Sequence, residues 1–328
     1  MTTTPPNALT PTAAKPASLQ GADLLSVSSL AKEQMLDLFR LAADLKADIR
    51  PYAKALDGKA AVLLFEKPSL RTRMTFEVGV AKLGGHPIYM DHSAQKLGER
   101  ESVTDYARNL ERWVDIIVAR VFRHAVVAEL AAAATRVPVI NALCDLYHPC
   151  QALADYFTLW ERNGRSLERV KLAYVGDGNN VCHSLMHGAA ILGVEMVAIT
   201  PPTHQPDPHV VEETEALRRA AGGNSPPVRV SSDPDEVKGA TAVYTDVWVS
   251  MGEAAHSAGE RKKFMRYQVN EALMAKAGPQ AVFMHCLPAK RGQEVTDGVI
   301  DSAQSVVYDQ AENRMHAQDA LLCRVFGR

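Results

Sequence analysis

Ala60-Ala61-Val62-Leu63-Leu64-Phe65 runs without a break into Glu66-Lys67-Pro68-Ser69-Leu70-Arg71-Thr72-Arg73. The six-residue apolar run is short for a helix and suits a strand buried on both faces, the form strands take in parallel sheets. Pro68 and Ser69 then read as a helix entry, with Gly84-Gly85 as its stop. A buried strand feeding a capped helix is one βα unit of an α/β fold. The junction also favours anions, because unpaired N–H groups at a helix start carry the positive end of the dipole. Arg71 adds a planar fork suited to phosphate or carboxylate oxygens. An ordinary capped helix, with Arg73 paired to Glu77 one turn on, accounts for the same residues without any ligand.

Outward from this unit the alternation continues. Ser28 to Arg50 reads as a helix that Pro51 ends. Pro87–Met90, Val114–Val121 and Val137–Asn141 read as strands, with helices over Val103–Trp113 and Ala125–Ala134. The pattern restarts after His148. Helices are predicted over Gln151–Arg162, His183–Leu192, Val210–Ala221, Met265–Ala277 and Gln310–Phe326. Between them fall strands at Val170–Val175, Met196–Ile199, Val228–Ser231, Ala242–Thr245 and Ala281–His285. This is the signature of two α/β halves joined near the helix that follows His148. Ser250 to Lys263 lacks apolar periodicity and is predicted to be a mobile loop.

The composition agrees. At about 150 residues per domain, 328 residues make two domains or one large one. Hydrophobic residues at 47% and charged residues at 23% exclude disordered, collagenous and coiled-coil classes. A net charge of -2 leaves no overall electrostatic footprint for nucleic acid. No apolar run approaches the ~20 residues of a membrane span. Residues 1–18, rich in Thr, Pro and Ala, read as a flexible tail without the apolar core of a secretory signal. Cys144, Cys150, Cys182, Cys286 and Cys323 form no CxxC pair, which points to reduced thiols in the cytoplasm rather than to zinc.

Further motifs stand at predicted strand ends or helix starts. His148-Pro149-Cys150-Gln151 offers an imidazole and an amide at a helix start. Gly176-Asp177-Gly178-Asn179-Asn180 tempts a dinucleotide reading, but Val181 stands where the third glycine belongs and the next strand runs into Thr200-Pro201 without a ribose-binding acid. Asp246-Val247-Trp248-Val249-Ser250-Met251-Gly252 places an acid after a strand, where it can bind an amine or simply cap a turn. His285-Cys286-Leu287-Pro288 places a thiol at another strand end, and inert buried thiols are commoner than activated ones. Ala311-Glu312-Asn313-Arg314 opens the last helix. Each motif alone has a bland structural explanation. Together they converge on one edge of a parallel sheet, where open α/β sheets bind ligands.

Ser69-Leu70-Arg71-Thr72-Arg73, His148-Pro149-Cys150-Gln151, Asp246 to Gly252 and His285 to Pro288, in this order and spacing, resemble the aspartate/ornithine carbamoyltransferase family from about Leu24 to the C-terminus. Ser250-Met251-Gly252 with Cys286 resembles the ornithine-specific members, since aspartate-specific ones are expected to carry Pro after the histidine. The resemblance implies two doubly wound parallel-sheet α/β domains with the active site between them and across a homotrimer interface. Residues 19–150 would bind carbamoyl phosphate, residues 151–309 would bind ornithine, and residues 310–328 would pack back on the first domain. The implied reaction moves the carbamoyl group of carbamoyl phosphate to the δ-amine of L-ornithine, giving L-citrulline and phosphate, a step of arginine metabolism. The implied phosphate contacts are Ser69, Leu70, Arg71 and Thr72, with Arg120 and Arg314. His148 and Gln151 would address the carbamoyl group. Asn180, Asp246, Ser250 and Met251 would hold the amino-acid end of ornithine, with Cys286 and Leu287 along the amine path. Arg71, Arg120, His148, Asp246 and Cys286 form the implied catalytic set. No metal or organic cofactor is expected, because carbamoyl phosphate is already activated.

The chain departs from the family pattern at two places. Leu70 stands where the family usually has threonine, so a backbone N–H contact survives and a hydroxyl contact does not. In Gln95-Lys96-Leu97-Gly98, Lys96 occupies a position often held by Gln or His, on a loop that reaches a neighbouring subunit's site in relatives. Either Lys96 supplies a cation to the phosphate or Gln95 takes the role after a one-residue shift. Acetylornithine, putrescine or aspartate is the alternative acceptor.

Overall fold

The computed structural model describes residues 18–222, 225–249 and 258–328. The first half holds β1 (Ala60–Phe65), β2 (His86–Asp91), β3 (Ile116–Arg120) and β4 (Val139–Leu143) in a parallel sheet of order β2-β1-β3-β4. Helices α1 (Lys32–Ala47), α2 (Leu70–Lys82), α3 (Val103–Leu110) and α4 (His124–Ala133) belong to this half. Then α5 (Pro149–Arg162) leads into β5 (Lys171–Val175), β6 (Glu195–Ile199), β7 (Val228–Ser231), β8 (Ala242–Thr245) and β9 (Val282–His285). These pair in parallel in the order β7-β6-β5-β8-β9. The helices of this half are α6 (Asn180–Leu192), α7 (Pro208–Ala220), α8 (Ala258–Phe264), α9 (Glu271–Ala277) and α10 (Asp297–Ile300), and α11 (Val307–Val325) returns to pack on α1, α2 and α5. The expected pair of doubly wound parallel sheets is the observed architecture.

Strand alternation explains the layering. On β1, Leu63 and Phe65 face a core shared with α1, α5, α11 and the inner face of the second sheet, where Leu172, Tyr174 and Met196 contribute. Val62 and Leu64 face the opposite side, with Ile117, Val126 and Leu130. A third core, with Val175, Val197, Val243 and Phe283, covers the outer face of the second sheet. The central strands are thus covered on both faces and read as largely apolar runs, while the edge strands β2 and β7 are only partly buried and carry polar residues.

Each sheet has one point where its strand order reverses, and ligands of open α/β sheets bind there. In the first sheet it lies between β1 and β3, followed by the Glu66–Ser69 turn and by Arg120. In the second it lies between β5 and β8, followed by Gly176–Asn180 and by Asp246.

Two predicted elements need correction. Met265–Ala277 is not one helix: a 3-10 turn at Met265–Tyr267 is followed by extended residues, and Asn270 caps α9 by accepting from Leu273 N at 3.0 Å. Within the predicted loop Ser250 to Lys263, residues 250–257 lie outside the described ones, but Ala258–Phe264 is helical. The buried Phe264 ring stacks on Trp248 with centroids 5.3 Å apart, an anchor that period counting cannot see. Residues 1–17, most of the predicted tail, are likewise outside the described residues.

Gly178 is explained by packing and not by a dinucleotide: an added Cβ would stand 2.3 Å from Pro206 N. Gly79 of α2 plays the same part against α11, where a Cβ would meet Asp319 Oδ1 at 2.0 Å. Asp319 is fully buried, and among the described residues neither of its oxygens has a hydrogen-bond partner. Burial pushes its carboxyl up to about 7, against the opposing pull of Lys82. The folded state therefore holds the proton more tightly than the unfolded chain, and stability is lost as pH rises from about 4 to 7. Asp319→Asn is expected to be stabilising at pH 8, by at most about 4 kcal/mol, and close to neutral near pH 4. Thermal melts of both proteins across this range check the sign, and an equal difference at every pH would refute it.

Candidate active site

Ser69 caps α2: its Oγ accepts from Thr72 N at 3.3 Å and donates to Thr72 Oγ1 at 3.2 Å. Leu70, first in the helix, is 74% exposed. Arg73 pairs with Glu77 at 3.1 Å and lies 3.7 Å from the Tyr89 ring centroid, so it serves structure. Thr72 is buried and is the meeting point of two further guanidinium groups. Arg314 Nη2 donates to its hydroxyl at 3.1 Å, and Arg120 Nη1 lies at 3.5 Å. Arg120 reaches this point from the end of β3, held by a bond from Nε to Lys67 O at 3.1 Å. Burial, then the charges of Arg314 and Arg71, lower the Arg120 pKa to about 9. At neutral pH the group remains charged. Burial also lowers the pKa of Arg71, while Cys286 and Asp246 across the cleft act in the opposite sense.

His148 stands at the N-cap of α5 with Pro149 in the first turn. Its backbone N–H donates to Ser184 Oγ at 2.8 Å, and its buried Nδ1 has no hydrogen-bond partner among the described residues. Burial, with Arg314, Arg120 and Arg71 close by, holds the imidazole well below its ordinary pKa, so it is neutral. Gln151, one turn into α5, accepts at Oε1 from Arg314 Nη1 at 2.5 Å. Motifs from β1, β3, α5 and α11 thus form one cationic pocket with a neutral imidazole on its wall.

The second half supplies the opposite charge. Thr245 and His285 are register partners on β8 and β9, so Asp246 and Cys286 emerge side by side, as the strand order in the sequence suggests. The Cys286 thiol donates to Asp246 Oδ1 at 2.9 Å, and burial, then the adjacent carboxylate, raise its pKa well above the ordinary value. Oδ2 of Asp246 accepts from Asn179 Nδ2 at 2.8 Å. Asn179 also caps α6, accepting from Val181 N and Cys182 N. Asn180 lies beside it, donating to Cys144 O at 2.6 Å. Leu287 has φ of 59°, a left-handed conformation costly for a branched residue and a mark of a constrained segment. Ser250 and Met251 lie outside the described residues.

Asp246, His285 and Cys286 have ligand atoms within 4.8 Å of one another, yet the set does not fit a metal. His285 Nδ1 accepts from Leu287 N at 2.8 Å, and Nε2 faces buried Glu294 at 3.2 Å, so both ring nitrogens are engaged.

Glu66, Asp155 and Gln310 were missed by sequence reasoning, and for Asn179, within the Gly176–Asn180 motif, the sequence did not foretell the bond to Asp246. Glu66 is buried and accepts from Leu97 N at 2.9 Å and Phe122 N at 2.7 Å, tying two loops to the end of β1. Its signal was an acid set directly against an apolar strand. Lys96, expected near phosphate, lies 4.4 Å from the Phe122 ring centroid in its own chain, with Lys67 4.7 Å from the same centroid.

The carbamoyl-P binding domain model of the aspartate/ornithine carbamoyltransferases matches residues 22–161, and their Asp/Orn binding domain model matches residues 168–325. The chain is 54% identical over 302 residues to an ornithine carbamoyltransferase of Shewanella oneidensis, covering 92% of this chain and 98% of the relative. It is 48% identical over 313 residues to one from Pyrococcus furiosus named anabolic, covering 94% and 98%. A solved ornithine carbamoyltransferase from Pyrococcus furiosus superposes with a TM-score of 0.89 at 47% identity, covering 95% of this chain and 99% of that one. With both sheets' switch points carrying the motif residues, the chain belongs to the aspartate/ornithine carbamoyltransferase family.

Proposed function

We propose that this chain transfers the carbamoyl group of carbamoyl phosphate to the δ-amine of L-ornithine, giving L-citrulline and phosphate in arginine biosynthesis. The observation that carries the reading is the facing of two unlike half-sites: Arg71, Arg120 and Arg314 around Thr72, and Asp246 bonded to Cys286 and Asn179. A dianionic phosphate suits the first and an ammonium group the second. An acetylated α-nitrogen carries no charge for Asp246, which favours free ornithine. The reading divides the chain into a carbamoyl phosphate domain over residues 19–150, an ornithine domain over residues 151–309, and a C-terminal segment over residues 310–328 that returns Arg314 to the first site.

In this reading Ser69, Leu70, Arg71 and Thr72 receive the phosphate through the helix start and the Arg71 fork. Arg120 and Arg314 complete the clamp, with Lys96 added from the loop that approaches a neighbouring subunit. The neutral His148 can donate one hydrogen bond to the carbamoyl oxygen, where negative charge grows as the amine nitrogen attacks. Gln151 Oε1 faces the carbamoyl nitrogen. The new N–C bond forms, the C–O bond to phosphate breaks, and the departing phosphate takes that bond's electron pair to its arginines and accepts the proton that the δ-nitrogen loses. The attacking amine must be neutral, although a free alkylamine is protonated at pH 7. Asp246, with Asn180, Ser250 and Met251, holds the α-amino and carboxylate end. Cys286 and Leu287 line the path of the δ-nitrogen. Positioning and electrostatics supply the catalysis.

A homotrimer with sites shared between subunits belongs to the same proposal. It is supported by Leu70 and Met74, 74% and 48% exposed one turn apart on α2 beside the phosphate loop. Cytoplasmic residence is proposed from five cysteines that are all unpaired thiols. Among the described residues no helix is long and apolar enough to cross a membrane.

Citrulline formation from the two substrates is the primary test. Arg71→Ala should lower kcat by about 10²–10³ with an unchanged melting temperature, because it removes a donor to growing charge. Near-normal kcat in a folded variant would take Arg71 out of the mechanism. The pH profile should rise from about pH 6 to pH 9 as neutral ornithine becomes available, without an ionisation of His148, which is already neutral. Asp246→Asn should weaken ornithine binding by about 2 kcal/mol in calorimetric titration and leave carbamoyl phosphate binding nearly unchanged. Cys286→Ala should show the same pattern with a smaller loss. Loss of carbamoyl phosphate affinity alone in Asp246→Asn would reverse the assignment of the half-sites.

A further inference from the structure

Asp155 lies one turn after Gln151 on α5, fully buried. Its Oδ1 accepts two side-chain bonds, from Gln151 Nε2 at 2.7 Å and from Gln310 Nε2 at 2.7 Å. The other ends of these two amides lie in different halves of the site. Gln151 Oε1 accepts from Arg314 Nη1 at 2.5 Å, within the phosphate clamp. Gln310 Oε1 accepts from His285 N at 2.9 Å, immediately before Cys286, whose thiol bonds Asp246.

An amide side chain can turn over, exchanging a donor for an acceptor at nearly the same positions. Here both amides are held at both ends. Oδ1 of Asp155 accepts from each Nε2, while a guanidinium and a backbone N–H, which only donate, face the two Oε1 atoms. Reversing Gln151 would set N–H against Arg314 and withdraw the acceptor from the carbamoyl nitrogen, which is itself a donor. Reversing Gln310 would set N–H against the backbone N–H of His285. Neither orientation is enforced by shape, since the two ends of an amide are nearly the same size. The partners at both ends break the tie, and Asp155 Oδ1 is the one that the two amides share.

We propose that Asp155 is a positioning residue for both half-sites, presenting Gln151 Oε1 to the carbamoyl group and, through Gln310, fixing the start of the His285–Pro288 segment against the amine. The proposal rests on the functional reading above. It needs an acceptor at Oδ1 and does not need a negative charge. Burial pushes the Asp155 carboxyl up to about 7, so the neutral acid is accessible with Oδ1 still accepting.

The test is two-substrate kinetics on the full chain with Asp155→Asn, Asp155→Leu and Gln310→Met, each with its melting temperature. Asparagine keeps an acceptor at the Oδ1 position, so both KM values should stay within about twofold of wild type. Leucine fills similar volume without an acceptor and should raise KM for carbamoyl phosphate and for ornithine, each by about tenfold. Gln310→Met should raise KM for ornithine by a similar factor and leave that for carbamoyl phosphate within about twofold. A folded Asp155→Leu with both KM values unchanged would overturn the proposal, and so would an Asp155→Asn protein as impaired as the leucine variant. If Asp155→Leu does not fold, Gln310→Met decides, and an unchanged ornithine KM overturns the proposal. A wild-type chain that makes no citrulline would defeat the functional reading instead.

Discussion

Two guanidinium groups close on one threonine hydroxyl, with Arg71 alongside, and most of the molecule can be understood as the apparatus that keeps them there. At an effective dielectric of about 20, two like charges a few ångströms apart repel by several kcal/mol. Burial first, and then neighbouring guanidinium charge, lower the proton affinities of Arg120 and Arg314. No single element could hold all three. Arg71 comes from a capped helix start, Arg120 from a strand end pinned to Lys67 O, and Arg314 from a helix whose chain has crossed the other half and come back. The return of α11 is therefore a functional necessity as well as a packing choice. It also gives the first half's core a lid that buries Leu321 and Leu322.

The division of labour between the two sheets follows from the same economy. Each has one reversal of strand order, and each reversal presents one sign of charge. Cations gather at the β1/β3 reversal and a carboxylate stands at the β5/β8 reversal, so in the proposed function the two substrates are sorted electrostatically before any shape matching. All three guanidinium groups sense Cys286, and Arg71 senses Asp246 as well, which links the two fields.

Much of this was legible in the residues. Apolar runs such as Ala60–Phe65 and Val170–Val175 can only be buried parallel strands, and Ser69 and Pro149 announce helix starts by their chemistry. Asp246 and Cys286 could be placed side by side because consecutive strands tend to be neighbours. What escaped depends on contacts distant in sequence. Asn179, set at the sheet's carboxyl edge by its motif, meets Asp246 across 67 positions, and Gln310 meets Asp155 across 155, with nothing local to foretell either partner. The helix Ala258–Phe264 escaped because one aromatic anchor, not a periodic face, fixes it. Met265–Ala277 reads as one helix, but Asn270 within it is a cap.

Glu66 separates two properties of one loop. Its carboxylate grips Leu97 N and Phe122 N, so the far end of the loop after β2 is anchored to the end of β1 through backbone donors that every residue but proline supplies. The exposed side chain of Lys96 stands next to that anchor and takes no part in it. A substitution there changes the charge the loop presents and leaves both bonds to Glu66 in place, so charge and anchorage are set by different residues.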